Sequence, residues 1–377
     1  MPAKPQHAYD ESKIKTLSSL EHIRLRTGMY IGRVGDGTHY DDGIYVLLKE
    51  VIDNAVDEFI MGFGRRVDVA IAEGAVRVRD RGRGIPLGKL VDCVSTINTG
   101  AKYNDDVFQF SVGLNGVGTK AVNALSSRFL VRSHREGLFA EAEFARGKLV
   151  RQRKGRTEEK DGTEVVFTPD ADIFGGAAFR DEHVRRRLNL YTYLNAGLEI
   201  AYNGETFVSA HGLLDLVNEE TGGEAIYAPF HYRDKALEIA FTHSNRFSET
   251  HFSFVNGQFT GDGGTHLSAF REGMLKAVNA FSKRTFEGDD VREGLIGAVA
   301  IRLKDPVFES QTKNKLGNTE IRGDLVKETQ RVVEDLLHRD PKRAAMVVAK
   351  AEDTEKLRRE LQAVKKMARE RARAISI

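Results

Sequence analysis

The stretch 110-FSVGLNGVGTKAV-122 decides how the first half of this 377-residue chain is read. Its glycines, Gly113, Gly116 and Gly118, run straight into a segment of helical composition, the layout of a loop whose backbone N–H groups wrap phosphates. A Walker A loop puts four residues between its glycines and follows them with Gly-Lys-Ser/Thr, whereas here Gly118 is followed by Thr119 and then Lys120. A dinucleotide fingerprint has its close glycine pair first, and here the spacing is G-x-x-G-x-G with the close pair last. Neither label fits, so the flanking segments have to identify the loop.

Upstream, a helix starting near Asp42 and ending near Gly62 and Gly64 carries Leu48, Ile52, Ala55 and Phe59 as an apolar stripe. In 49-KEVIDNAVDEF-59 the residues Glu50, Asp53, Asn54 and Asp57 share the opposite face. Alone, this would be an acidic solvent face. The asparagine among carboxylates argues otherwise, because a neutral carbonyl oxygen suits a hard cation that keeps its waters and touches phosphates, as Mg²⁺ does. That makes Asn54 the candidate metal ligand and Glu50, one turn earlier, a candidate acceptor for a proton from an attacking water.

Next, 67-VDVAI-71 and 75-AVRVR-79 alternate around Glu73-Gly74 as an antiparallel hairpin. Alternation puts Val76, Val78 and Asp80 on one face and Arg77, Arg79 and Arg81 on the other. Asp80 therefore ends the strand pointing inward, where a carboxylate needs hydrogen-bond donors such as the exocyclic amine of adenine. In 80-DRGRGIP-86 the glycines allow a base close approach and Pro86 stops the strand; an ordinary Asp-Gly turn reads the same way.

The remainder of the first part reads as helix 119-TKAVNALSS-127 and strands 128-RFLVRSH-134 and 163-TEVVFTP-169, an α/β sandwich with a mainly antiparallel sheet. The polar stretch 151-RQRKGRTEEKDG-162 reads as a loop. A softer boundary at 217-VNEETGGEA-225 suggests domains at 1–222 and 223–377. Beyond it, strands 239-IAFTH-243, 251-HFSFVNG-257 and 295-LIGAVAIRL-303 alternate with helix 265-THLSAFREGMLKAVNAF-281, and helical sequence from Glu320, interrupted at Pro341, closes the chain.

Composition sets bounds. A hydrophobic content of 41% supports a core in each of two domains. The opening MPAKPQHAYDESK lacks an apolar h-region and no run approaches the roughly 20 apolar residues of a membrane span, so the chain reads as cytoplasmic. The single cysteine, Cys93, excludes an internal disulfide and a cysteine metal cluster, and reads as a small buried apolar side chain. Net charge is only +2, yet eight basic residues from Lys356 to Arg373 face two acids, Glu360 and Glu370. Such a run is a solvated helix face or a nucleic-acid surface.

An E-x-x-x-N helix, a D-x-G-x-G turn and a G-x-x-G-x-G loop, in that order, resemble the Bergerat or GHKL ATP-binding fold. Type II topoisomerase ATPase subunits, heat-shock chaperones, MutL repair proteins and sensor histidine kinases share it. The segments 26-RTGMYIG-32, 50-EVIDNAVDE-58, 112-VGLNGVGTKAVNALS-126, 262-DGGTH-266, 290-DVREGL-295 and 311-QTK-313 narrow the resemblance to the B subunit of bacterial DNA gyrase or topoisomerase IV, over essentially the whole chain. A MutL-like repair ATPase and a chaperone are the rival readings. The first lacks the arm represented by Tyr9 and Ile14, and the second lacks the DGGTH and QTK arrangement.

The resemblance implies a GHKL ATPase domain followed by a ribosomal-protein-S5-like transducer and C-terminal helices. It implies ATP and Mg²⁺ as ligands, with ATP-driven homodimerisation closing a gate around double-stranded DNA in company with a topoisomerase A subunit. Glu50 becomes the base for the hydrolytic water, Asn54 the Mg²⁺ ligand and Asp80 the adenine reader assisted by Thr163 through a water. Asp57 and Arg83 pair beside the base, with Gly84, Ile85 and Pro86 forming the turn next to it. Lys102 and the backbone of Leu114, Asn115, Gly116, Val117 and Gly118 hold phosphates, and Gln311 and Lys313 reach the γ-phosphate. Tyr9, Ile14 and Tyr30 belong to the arm and its nucleotide contacts. Three residues depart from the family pattern: Thr27 stands in place of proline, Asn115 in place of histidine, and Arg81 where an acid often follows the aspartate. No TOPRIM signature and no DNA-cleaving tyrosine region is present, so this stretch alone is not expected to break DNA, and it reads as part of a longer polypeptide.

Overall fold

The computed structural model describes residue 14, residues 16–99 and residues 116–375. They form two compact units, one running to His183 and the other starting at Val184.

In the first unit, α1 (Ser19–Leu25) and α2 (Gly28–Ile31) precede α3 (Gly43–Ile60), the helix expected from the apolar stripe. Leu48 and Ile52 are fully buried and Ala55 nearly so. The opposite face is not solvated as an acidic stripe would be: Glu50, Asp53 and Asp57 are buried too. Lys49 makes this tolerable, its Nζ lying 2.7 Å from Asp53 and 3.7 Å from Glu50. After α3 come β1 (Arg66–Ala72) and β2 (Ala75–Asp80), antiparallel with Val67 opposite Asp80 and Val69 opposite Val78. Their turn has Glu73 and Gly74 both at positive φ, the handedness that matches strand twist. A short α4 (Leu90–Ser95) and α5 (Gly118–Ala124) follow, then β3 (Ser126–Arg135), β4 (Leu138–Ala145), β5 (Lys148–Arg156), β6 (Gly162–Pro169) and α6 (Ala171–Phe174). The six strands lie in the order β5-β4-β3-β6-β2-β1, and each pairing among them is antiparallel.

Residues 151–156, expected in a loop, are strand; only 157–161 connect β5 to β6. The reason is visible in the pairing. β5 borders only β4 in that order and is exposed along nearly its whole length, so it never needs the apolar alternation that marks a strand. Salt bridges replace burial: Arg151 meets Glu143 and Arg153 meets Glu141, both at 2.7 Å. Cys93 is half-buried, not buried.

The second unit starts earlier than the glycine-rich stretch at 217–225 suggests. Helix α7 (Asp181–Leu194), the β7 (Glu199–Tyr202) and β8 (Glu205–Phe207) hairpin, and α8 (Leu213–Thr221) lead into a five-stranded sheet. Its strands are β9 (Phe230–Arg233), β10 (Leu237–His243), β11 (Thr250–Val255), β12 (Gln258–Phe259) and β13 (Leu295–Ile301), in the order β12-β11-β13-β10-β9. Tyr193 of α7 and Leu213, Leu216 and Val217 of α8 pack on Ala240, Phe254 and Ala298 from this sheet, which draws them into the second core. The other face carries α9 (Thr265–Ser282), α10 (Gly288–Arg292), α11 (Arg322–Arg339) and the start of α12 (Pro341–Ile375), around Phe241, Phe270, Val299 and Leu337. With both faces covered, β10 is buried at every position. Strands β11 and β13 are parallel and joined through α9, the second α/β unit that the sequence pattern predicts. Among the described residues no helix is long and apolar enough to cross a membrane.

Candidate functional site

The polar face of α3 meets the start of α5. Gly118, the first residue of α5, has no side chain, and a Cβ built there would sit 1.7 Å from Glu50 Oε2. The missing Cβ lets the loop and the carboxylate share this volume; any side chain there would push the Glu50 carboxylate aside. One turn along α3, the half-buried Asn54 donates from Nδ2 to Thr119 Oγ1 at 2.9 Å and to the Glu50 carbonyl at 2.8 Å. Those bonds commit the amide nitrogen and define Oδ1 as the atom that can ligate. A neutral oxygen beside a hydroxyl and a loop without a Cβ fits a hard cation that draws its other ligands from water and phosphate. Among the described residues no group of three or more His, Cys, Asp or Glu could hold a metal.

Asp80 ends β2 pointing inward, as parity requires, and is 7% exposed. Its Oδ1 accepts the N–H of Gly82 at 2.8 Å and that of Thr163 at 3.1 Å. Thr163 thus touches Asp80 directly through its backbone N–H. No described residue donates to Oδ2. Burial pushes this carboxyl up to about 6, against the pull of the two N–H bonds.

The turn after Asp80 is tied to the sheet. The Ile85 carbonyl accepts from Ser133 Oγ at 2.7 Å and the Gly84 carbonyl from Arg135 Nη1 at 3.3 Å. Gly84 has φ 75, and a Cβ there would lie 2.6 Å from the His134 carbonyl oxygen. Pro86 then opens a 3₁₀ turn. Arg83 grips Glu58 with Nη2 to Oε1 at 2.8 Å and Nε to Oε2 at 3.0 Å, and its guanidinium lies 4.4 Å from the Phe63 ring centre. Glu58 is thus a partner of Arg83 that sequence reasoning misses, and Asp57, implied beside the base with Arg83, is buried.

Parity assigns Arg79 and Arg81 to the outer face, and their fates differ. Arg81 is exposed and pairs with Asp68 at 3.0 Å. Arg79 is 3% exposed, with Nη2 donating to the Lys160 carbonyl at 2.6 Å, because residues 157–161 fold over it. Tyr30 hydroxyl pairs with His22 Nδ1 at 2.9 Å, Thr27 Oγ1 donates to the Arg24 carbonyl at 2.9 Å, and Ile14 is exposed. Of the phosphate loop, Gly116 (φ 58), Val117 and Gly118 are described. Tyr9, Lys102, Leu114 and Asn115 lie outside the described residues.

Gln311 and Lys313 sit in the second unit between β13 and α11, with Lys313 buried at φ 59. In the basic stretch of α12, Arg358 is taken up by Asp290 at 2.7 Å and Glu287 at 2.8 Å, whereas Lys356, Lys365, Lys366 and Arg369 are exposed. Sequence reasoning also misses Lys49 and Thr119. A lysine four residues before Asp53 is the available signal for the first; nothing local marks Thr119 as the acceptor for Asn54.

Comparison with known proteins gives two family matches. The DNA gyrase B model matches residues 212–367, and the model of histidine kinase-, DNA gyrase B- and HSP90-like ATPases matches residues 39–173. The topoisomerase 4 B subunit of Borreliella burgdorferi is 56% identical over 98% of this chain and 62% of its own length. The DNA gyrase B subunit of Thermotoga maritima is 34% identical over 96% of this chain and 62% of its own. The chain therefore spans about 62% of each of those relatives. The crystal structure of the 43K ATPase domain of Thermus thermophilus gyrase B, in complex with an aminocoumarin, superposes with a TM-score of 0.72 at 30% identity, covering 93% of this chain and 98% of that one.

Proposed function

Because the chain belongs to the DNA gyrase B family of type II topoisomerase B subunits, as their ATPase region, we propose that it binds and hydrolyses ATP with Glu50 as the general base. The observation that carries this reading is the abutment of Glu50 and Gly118, which sets a carboxylate against the end of the phosphate loop. Glu50 takes a proton from the water that attacks the γ-phosphorus, and Lys49, 3.7 Å away, keeps that buried carboxylate partnered. Asn54, held by Thr119 and the Glu50 carbonyl, offers Oδ1 to Mg²⁺. Bound there, Mg²⁺ supplies charge neutralisation at the phosphate oxygens. Asp80 reads adenine: Oδ1 is occupied by two backbone N–H groups, which leaves Oδ2 for the exocyclic amine. Arg83, braced on Glu58, borders the base with Ile85 and Pro86. Backbone N–H groups of 114–118 and Lys102 hold the phosphates, and Lys313 with Gln311 takes the γ-phosphate.

The test is Glu50→Ala. Turnover should fall by about 10²–10⁴-fold, the usual contribution of a positioned base, while affinity for a non-hydrolysable ATP analogue stays within a few-fold. Turnover within a few-fold of wild type refutes the assignment.

In the full enzyme, ATP binding joins two protomers through the arm of Tyr9 and Ile14. That closes a gate on a DNA duplex passed with the topoisomerase A subunit. The 56% identity to a topoisomerase IV relative, against 34% to a gyrase one, favours decatenation over supercoiling as the reaction. Assembly with an A subunit that yields supercoiling without decatenation would reverse that choice.

A further inference from the structure

Between β13 and α11 the chain makes a loop held at many points. Phe308 and Leu316 form an antiparallel bridge. Gly317 N–H donates to the Val307 carbonyl at 2.8 Å and Glu309 N–H to the Lys315 carbonyl at 3.1 Å, which leaves Gln311, Thr312 and Lys313 at the tip. Lys313 holds a left-handed φ of 59, unusual for a residue with a Cβ, and its N–H bonds the Ser310 carbonyl at 3.0 Å. Such a conformation persists only where the surroundings over-determine it.

The surroundings are the turn 262-DGGTH-266, which the nucleotide chemistry leaves without a task. Leu316 N–H donates to the Gly263 carbonyl at 3.1 Å, Thr265 N–H to the Leu316 carbonyl at 3.1 Å, and Asp262 N–H to the carbonyl of Asn314, the neighbour of Lys313, at 3.0 Å. A Cβ on Gly264 would stand 2.3 Å from the Leu316 carbonyl oxygen and 2.5 Å from its nitrogen, at a φ of 122. Any other residue there forces the lysine loop off its seat. Below, the turn is itself fixed: His266 Nε2 lies 3.0 Å from Thr260 Oγ1, and Thr260 Oγ1 donates to the Ser253 carbonyl at 2.7 Å, with all three side chains buried.

We infer that Gly264 and the backbone N–H of Asp262 are positioning elements for ATP hydrolysis, a mount that holds Lys313 in its working conformation. The inference rests on the γ-phosphate role proposed above for Lys313. A misplacement on the order of 1 Å can cost ~10²-fold in rate while leaving ground-state binding alone, so the effect falls on kcat.

Gly264→Ala in the 377-residue chain should lower kcat about tenfold or more, with KM and ADP affinity within about twofold of wild type. Hydrogen exchange at Leu316 and Thr265 should accelerate in the same protein. Combined with Lys313→Ala, it should be no slower than Lys313→Ala alone, because both changes remove one function. Should Gly264→Ala fail to fold, Asp262→Pro removes the N–H to Asn314 together with the side chain and should give the same kcat loss. Asp262→Ala, which keeps that N–H and trims an exposed side chain, should match wild type. Wild-type turnover in Gly264→Ala, or additive losses in the double variant, overturns the inference. Slow Lys313→Ala beside fast Gly264→Ala overturns the mount alone. Wild-type turnover in Lys313→Ala overturns the γ-phosphate role and the mount with it.

Discussion

Replacing Asp80 by asparagine should weaken nucleotide binding and strengthen the empty fold at the same time. Burial raises this carboxyl from its ordinary 3.8 to about 6. The folded protein therefore holds the proton more tightly than the unfolded chain does. The group's favourable contribution is complete below about pH 4 and is lost as pH rises through about 6. At pH 7.5 the ionised carboxylate costs about 3 kcal/mol, taking about 1.36 kcal/mol per pH unit of displacement. Asparagine escapes that cost and still accepts Gly82 and Thr163 N–H through Oδ1, but buries an amide N–H₂ where Oδ2 was, at about 1–3 kcal/mol. The net expectation is a rise of about 0–2 kcal/mol in unfolding free energy at pH 7.5, shrinking as the pH is lowered through 6 towards 4. Binding moves the other way. The adenine amine now meets another donor in place of a charged acceptor, a loss of about 2–3 kcal/mol or roughly 30- to 160-fold in affinity. Denaturant melts at pH 7.5 and 4.5, with calorimetry of a non-hydrolysable ATP analogue, measure both. Unchanged affinity, or a variant clearly less stable than wild type at pH 7.5, would refute the placement of Asp80 as a buried, desolvated adenine acceptor.

Gly118→Ala tests the abutment: its Cβ would collide with Glu50 Oε2 and push the carboxylate aside, so turnover should drop about 10²-fold in a protein that still folds. A variant that hydrolyses ATP normally argues against the abutment. Changing Lys365, Lys366 and Arg369 to glutamine should reduce DNA-stimulated hydrolysis, leave the basal rate alone and flatten the salt slope by roughly 1–3; equal loss of both rates would mean that the fold was damaged. Deleting residues 1–14 should abolish the dimer that sedimentation detects with a non-hydrolysable ATP analogue, and a persistent dimer would rule out the arm as the joint.

Local pattern is enough to read α3, the β1–β2 hairpin, α9 and β13 from sequence, because the first three carry apolar residues repeating at their own spacing and β13 is an unbroken apolar run buried along nearly its whole length. The same parity places Asp80 inward, and the order of the three motifs identifies the nucleotide fold. Tertiary structure decides whatever depends on distance between segments far apart in the chain. Strand β5 carries no apolar alternation, since a polar edge strand is held by the backbone of β4 and by Arg151 and Arg153 on Glu143 and Glu141. Arg79 has the parity of its exposed neighbours yet is covered by a loop that only the β5–β6 connection brings there. Arg83 pairs with Glu58, a contact that no spacing in the sequence marks. Gly118 against Glu50 and Gly264 against Leu316 are the sharpest cases, for a missing Cβ has no pattern of its own. Sequence periodicity records which way a side chain faces along its own element. Which atom waits on the other side is fixed only when the elements pack, because hydrogen bonds and steric exclusion act over a few ångströms and are blind to separation along the chain.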